Sequence, residues 1–209
     1  MWKDLTEEWK TAFGEAWEAF RAGNIPIGAA IYDEDGNLLI KDHNRTAETG
    51  IPNPGTAHAE ANALRRLDTS LCNVRKAVLY TTMEPCPMCM GTAVMSNIRH
   101  LRYAARDPYC GCVYLKDTDP YISSKGLDYV HEGGEAEFFQ LVIQSCHELR
   151  CIDKGGSDAV LNRFREISGK AVAAAEKLYS KNVPYTLAKR GADIAEVYDI
   201  IVCLADVNY

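Results

Sequence analysis

Apolar residues recur every three or four positions over residues 5–20, which predicts an amphipathic helix that ends at Gly23. Two short apolar segments follow on either side of Asp35-Gly36-Asn37, and this composition is typical of a tight turn between two strands. Further along the chain, "AHAEANALRRL" predicts a helix, "KAVLYTT" a strand and "CPMCMGTAVMSN" a second helix.

The same alternation continues in the second half of the chain. The segment "IRHLRYAARD" begins with a short strand, residues 107–126 predict a polar loop, "LDYVH" a weak strand and "EAEFFQLVIQSCHEL" a helix. Because helices and strands alternate up to about residue 150, the pattern predicts an α/β sandwich with helices on both faces of a sheet. A helical stripe from Val160 to Leu178 is then broken by Pro184, and a shorter helix is expected after it. We therefore expect one domain over 1–150 and a C-terminal helical extension over 151–209 that packs on it.

Composition adds mainly exclusions. The chain is 47% hydrophobic and 25% charged, which is ordinary for a globular protein. The longest apolar run, "IPIGAAIY", is too short to span a bilayer, and the start "MWKDLTEEWK" does not resemble a signal peptide. We therefore expect a cytoplasmic protein with no membrane segment. Its eight cysteines then favour free thiols over a disulfide framework.

Two short motifs, "HAE" and "PCPMC", stand at the starts of predicted helices. The N–H groups at a helix start lack partners, so they lower the pKa of a thiol and favour a bound anion. Cys86 and Cys89 are three residues apart and share a helix face, where both can bind one ion. His58 supplies a third ligand, which leaves Zn²⁺ one open position, as in catalytic zinc sites. Glu60 can then lie beside that position without binding the metal.

Two other interpretations of the cysteines remain open at this point. A CxxC sequence at a helix start is also typical of a thioredoxin-like redox pair, but that interpretation leaves "HAE" without a role. Cys86 and Cys89 could instead join Cys110 and Cys112 in a structural site of four thiolates, which would leave His58 without a role. Packing or pocket lining is the alternative for Cys110 and Cys112.

The joint pattern H-x-E followed by P-C-x-x-C is the signature of zinc-dependent nucleobase deaminases. With "NIPIGAAI", "HNR", "TAHAE", "MEPCPMCMG" and "YAARD" in this order, the sequence resembles the cytidine deaminase superfamily over roughly residues 5–107. The closest resemblance is to the branch of tRNA adenosine, guanine and cytosine deaminases. It implies a three-layer α/β/α sandwich with a mixed sheet of about five strands, one catalytic Zn²⁺ per chain, and a homodimer.

The resemblance also implies roles for individual residues. The expected reaction is hydrolytic deamination with release of ammonia, in which Glu60 is the catalytic proton carrier. The backbone N–H of Ala59 would stabilise the developing oxyanion. Asn44 of "DHNR" would contact the substrate, and Ile27 would form a wall of the pocket. A turn residue and strand packing are the alternative interpretations of these last two.

Three substrate hypotheses remain: a small free base or nucleoside, a tRNA adenosine, or no substrate, as in a non-catalytic zinc-binding partner subunit. The intact Glu60 argues against the third. Through residue 150 the chain has 15 Lys and Arg against 21 Asp and Glu, which is a poor balance for binding phosphates. The acidic, tyrosine-containing loop after Asp107 is better suited to closing over a small ring. The sequence therefore favours a small-molecule substrate, preferably a purine, and nucleic acid is not the expected partner.

Overall fold

A five-stranded sheet lies at the centre of the computed structural model, which describes the backbone of residues 1–206 and the side chains of residues 1–204. Its strands are β1 (Gly28–Tyr32), β2 (Leu38–His43), β3 (Val78–Met83), β4 (His100–Ala105) and β5 (Asp128–His131). The spatial order is β2-β1-β3-β4-β5. Strand β1 is antiparallel to both of its neighbours, whereas β3, β4 and β5 are parallel. The expected mixed sheet is confirmed.

Helices cover both faces of this sheet. They are α1 (Glu7–Arg21), α2 (Ala59–Arg66), α3 (Pro87–Met95), α4 (Leu115–Thr118), α5 (Pro120–Ser123), α6 (Gly134–Asp153), α7 (Ala159–Ser180), α8 (Val183–Lys189) and α9 (Ile194–Val202). One apolar core joins α1 and α6 to the sheet, and a second joins α2 and α3 to it. The predicted three-layer arrangement is confirmed. None of the helices between residues 1 and 206 is both long and apolar enough to cross a bilayer.

The C-terminal helices share the first of these cores. Phe164 of α7 and Tyr198 of α9 are fully buried with α1 and α6. The indole nitrogen of Trp17 in α1 donates a buried hydrogen bond of 2.9 Å to the carbonyl of Ala192. Pro184 lies in the first turn of α8, and two helices, α8 and α9, follow the break where one was expected.

Two further details differ from the sequence pattern. Helix α6 runs on to Asp153, so the boundary expected at residue 150 falls inside its last turn. The predicted polar loop over 107–126 contains the single-turn helices α4 and α5. Segments this short carry too few residues to show helical periodicity, which is why the sequence did not predict them.

Gly28 brings the first helix against the sheet. A Cβ atom at this position would clash with the backbone carbonyl oxygen of Ala12 and the backbone nitrogen of Ala16. The contact matters for the site because Gly28 begins β1, directly after Ile27, and its N–H donates to the hydroxyl of Thr82 near the end of β3.

Candidate metal centre and active site

Two helix starts meet beside the end of β3. The strand ends at Met83, and after a short Glu84-Pro85 connection Cys86 caps the N-terminus of α3. His58 caps the N-terminus of α2 on the same face of the sheet. Both residues have extended backbone conformations, so their side chains project beyond the ends of the helices. The predicted placement of the two motifs is confirmed.

The three predicted zinc ligands converge on one point. His58 Nδ1 lies 3.5 Å from Cys86 Sγ and 3.6 Å from Cys89 Sγ, and the three atoms lie within 4.8 Å of one another. Ideal Zn–N and Zn–S bonds in a tetrahedron would separate the nitrogen from each sulfur by about 3.6 Å. The spacing therefore fits one zinc ion, and three ligands leave a fourth position for water or substrate. Over residues 1–204 no other group of His, Cys, Asp and Glu side chains meets this test.

The second cysteine pair lies outside this cluster. Cys110 is exposed, and its thiol donates to Asp107 Oδ2 at 3.1 Å. Cys112 is buried, and its thiol donates to the carbonyl of Pro85 at 3.4 Å. The four-thiolate alternative therefore has no support in the geometry. Cys112 instead holds the loop after β4 against the start of α3.

The electrostatics of the cluster favour a metal-binding thiolate. Hydrogen bonds from the Cys89 thiol and from His58 lower the pKa of Cys86 to about 4. The thiolate is the form of cysteine that binds zinc. Glu60 is only 4% exposed, and burial is the main cause that raises the pKa of its carboxyl group. Its Oε2 accepts a hydrogen bond of 3.3 Å from Cys89 Sγ, which places the carboxylate next to the ligand set.

The segment around Asn44 is bonded to the segment that carries His58. The backbone N–H of Arg45 donates to the carbonyl of Ala57 at 2.9 Å, and the N–H of Asn44 donates to the carbonyl of Ile27 at 2.9 Å. Asn44 Oδ1 accepts from both the N–H and the hydroxyl of Thr46. Its buried Nδ2 has no partner among the described residues, so it is a donor available to a ligand. Ile27 is partly buried and contacts both cores.

Two positions that support the site were not singled out from the sequence. Glu84 accepts the backbone N–H groups of Asp107 and Val113, each at 3.1 Å, and so anchors the loop after β4. Asn62 donates to the carbonyls of His43 and Ala57 and joins the end of β2 to the start of α2. Glu84 stands inside the quoted "MEPCPMCMG" and was a findable signal. The role of Asn62 depends on a long-range contact that no local pattern reveals.

Comparison with known proteins agrees with this geometry. Residues 3–105 match the family model described as the cytidine and deoxycytidylate deaminase zinc-binding region. A tRNA-specific adenosine deaminase of Aquifex aeolicus is 40% identical over 108 residues, which cover 50% of this chain and 68% of that protein. The chain belongs to this deaminase family. It therefore has a zinc-binding deaminase domain and is a hydrolase of C–N bonds, and His58, Cys86 and Cys89 form a group that could hold its zinc.

The similarity is confined to about half of the chain. A tRNA(Ile)-lysidine synthase of Deinococcus radiodurans is 34% identical over 104 residues, which cover 49% of this chain but 17% of that protein. A structure from a study of A-to-I editing by tRNA:A34 deaminases has a TM-score of 0.55 and 31% identity. It covers 66% of this chain and 99% of that one. The family model ends before α6 and the C-terminal helices.

Proposed function

We propose that this chain hydrolytically deaminates adenosine carried in tRNA. The observation that carries the proposal is the His58, Cys86 and Cys89 cluster with buried Glu60 beside it. This cluster lies in a segment that is 40% identical to a tRNA-specific adenosine deaminase. The substrate assignment replaces the small-molecule preference drawn from charge balance, because net charge describes the whole surface and not the rim of the site.

Each nearby side chain has a task in such a reaction. Zinc in this site would supply Lewis acidity and lower the pKa of water. Glu60 carries the proton from water to a ring nitrogen and then to the departing amine, because it is buried beside the ligand set and has a raised pKa. The N–H of Ala59, in the first turn of α2, donates to the developing oxyanion. Asn44 Nδ2 donates to the base, and Ile27 packs against it.

A direct test combines an anticodon stem-loop RNA with the zinc-loaded chain. We expect conversion of the loop adenosine to inosine with one ammonia released per inosine, and no conversion of an RNA that lacks the loop adenosine. Conversion of free adenosine but not of the RNA would contradict the assignment to tRNA while leaving the deaminase chemistry intact.

Glu60→Gln tests the catalytic role with little change of shape. Glu60 is a proton carrier and not a ligand in this account, so the variant should keep its zinc and its fold. Its turnover should fall by about 10²- to 10⁴-fold, the usual contribution of general acid–base catalysis. Normal zinc content with normal turnover would show that another group carries the proton.

A free purine base or nucleoside remains the second candidate. It is favoured by the loop after β4, which Glu84 anchors over the start of α3, and by the excess of acidic residues through residue 150. Ammonia release from a panel of bases and nucleosides, measured with the same preparation, distinguishes the two candidates. A homodimer also remains a prediction, and light scattering of the purified chain tests it.

A further inference from the structure

An open groove lies where α7 and α8 fold back onto α6. Its main part has a volume of about 510 Å³ and is lined by Arg150, Tyr179, Ser180, Asn182, Tyr185 and Lys189. A smaller part of about 110 Å³ shares Arg150 and Tyr185 with it and is also lined by Lys154. We call the two parts together the α6–α8 groove. It lies outside residues 3–105, so no part of it belongs to the segment matched by the deaminase family model.

The groove carries a positive charge. Over residues 1–204, Arg150, Lys154 and Lys189 form no ion pair with a carboxylate. Asp153 is the nearby acid, and it accepts a hydrogen bond from the hydroxyl of Tyr179. The buried imidazole of His147 responds to the local charge: burial, followed by repulsion from Arg150 and Lys154, lowers its pKa to about 4. The cations therefore act together on a shared region.

Arg150 is held in place by packing. Its guanidinium carbon lies 4.6 Å above the ring centroid of Tyr185, and the ring of Phe20 stacks on Tyr185 at 4.8 Å. The hydroxyl of Tyr185 donates to the carbonyl of Cys146 at 2.9 Å, which fixes the ring. Both faces of Tyr185 are covered, so this ring offers no stacking surface to a base. The fixed guanidinium keeps its N–H edge for an oxyanion, which it can bind through two parallel hydrogen bonds.

The groove also opens close to the proposed substrate pocket. Gly23 lines its smaller part and stands four residues before Ile27. On α6, repulsion from Asp107, together with the larger effect of burial, raises the pKa of Glu148. Asp107 is bonded to Glu84, which precedes Cys86 directly along with Pro85. The last turns of α6 thus lie near the edge of the sheet where the zinc ligands meet.

We propose that the α6–α8 groove binds a phosphate group, through Arg150 and Lys189 with the Asn182 carboxamide as a further donor. Asn182 begins α8, and its side chain does not cap that helix. The phosphate belongs either to an RNA backbone or to a free nucleotide. The RNA source rests on the proposed function, because a tRNA whose loop enters the zinc site would extend its backbone along this edge.

The test uses two charge variants and one matched control in the full chain. Lys189→Glu changes an exposed residue, and Arg150→Gln removes the stacked cation. Arg75→Glu makes the same kind of charge change on an exposed residue before β3, at the opposite end of the strand from the zinc ligands. Binding of a fluorescent anticodon stem-loop is measured by anisotropy at several salt concentrations, and binding of AMP by equilibrium dialysis.

For the groove variants we expect RNA affinity to fall about five- to tenfold each, and the slope of log K against log salt to fall by about 1 per lost contact. Arg75→Glu should bind within about twofold of the unaltered chain. An effect on AMP without an effect on RNA would assign the site to a free nucleotide.

Groove variants that bind both probes like Arg75→Glu would overturn the inference, as would an unaltered chain that binds neither probe. These outcomes are separate from those of the proposed function. RNA deamination with unaltered groove affinities rejects the groove alone, and groove-dependent AMP binding without RNA deamination rejects only the tRNA substrate. Circular dichroism of Arg150→Gln checks its fold, and Lys189→Glu keeps the test valid if that variant misfolds.

Discussion

Replacing Tyr198 tests whether the C-terminal helices are part of the folded core. Tyr198 in α9 is fully buried, and its ring centroid lies 4.7 Å from that of Phe139 in α6 and 5.5 Å from that of Phe13 in α1. It also contacts Trp2 edge-on at 5.6 Å. Three distant parts of the chain therefore pack against this one ring.

We expect Tyr198→Ala to lower the free energy of unfolding by about 3–5 kcal/mol, the usual cost of truncating a large buried aromatic side chain. For a chain of this length that corresponds to a fall in Tm of roughly 10 °C. Tyr198→Phe is the matched control. The Tyr198 hydroxyl is buried and has no hydrogen-bond partner among the described residues, so its removal should be neutral or stabilise by about 1 kcal/mol.

Urea unfolding, followed by circular dichroism at a fixed zinc concentration, measures both variants. A single transition that shifts for Tyr198→Ala and not for Tyr198→Phe would support a shared core. Two separate transitions, or a loss below about 1 kcal/mol for Tyr198→Ala, would refute the reasoning and show that the extension folds independently of residues 1–150.

Two further predictions concern stability. His147 has a pKa of about 4 in the folded chain against about 6.5 when unfolded, so only the unfolded chain gains this proton between those values. The free energy of unfolding should therefore fall by about 3 kcal/mol from this residue as the pH drops from 6.5 to 4, and urea titrations of His147→Gln should lack that part of the acid sensitivity; equal pH dependence in both proteins would contradict the assignment. Gly28→Ala should destabilise by about 3 kcal/mol in thermal unfolding, because the added Cβ meets the backbone of α1. Gly14→Ala, where a Cβ meets nothing within 4 Å on the same helix, should instead be neutral or stabilise by up to about 1 kcal/mol, and similar losses for both would reject this explanation.

The features that the sequence predicted correctly are those that depend on neighbours in the chain. Helix α1 follows from its apolar spacing, and the convergence of His58 with Cys86 and Cys89 follows from two helix starts. The groove around Arg150 and Tyr185 depends on residues 35 positions apart that meet through tertiary packing. No local periodicity encodes such a contact. The same holds for Tyr198, whose partners Phe13 and Phe139 come from other helices.

The placement of Asn44 shows a different limit. Its neighbours in "DHNR" predict a turn residue, and the sequence alone left that alternative open. The structure shows that Thr46 takes its side-chain oxygen while Nδ2 is buried without a partner. That division of one carboxamide between a turn and an available donor depends on hydrogen-bond geometry, which residue types do not specify.

X-ray absorption at the zinc edge, with metal content measured on the same sample, tests the central claim most directly. The account predicts one zinc per chain with two sulfur ligands at about 2.3 Å and nitrogen or oxygen ligands at about 2.0–2.1 Å. Cys110→Ser should leave the spectrum unchanged, whereas Cys89→Ser should lose one sulfur ligand or the metal. A spectrum with four sulfur ligands, altered by Cys110→Ser, would contradict the site of His58, Cys86 and Cys89 and with it the proposed deaminase mechanism.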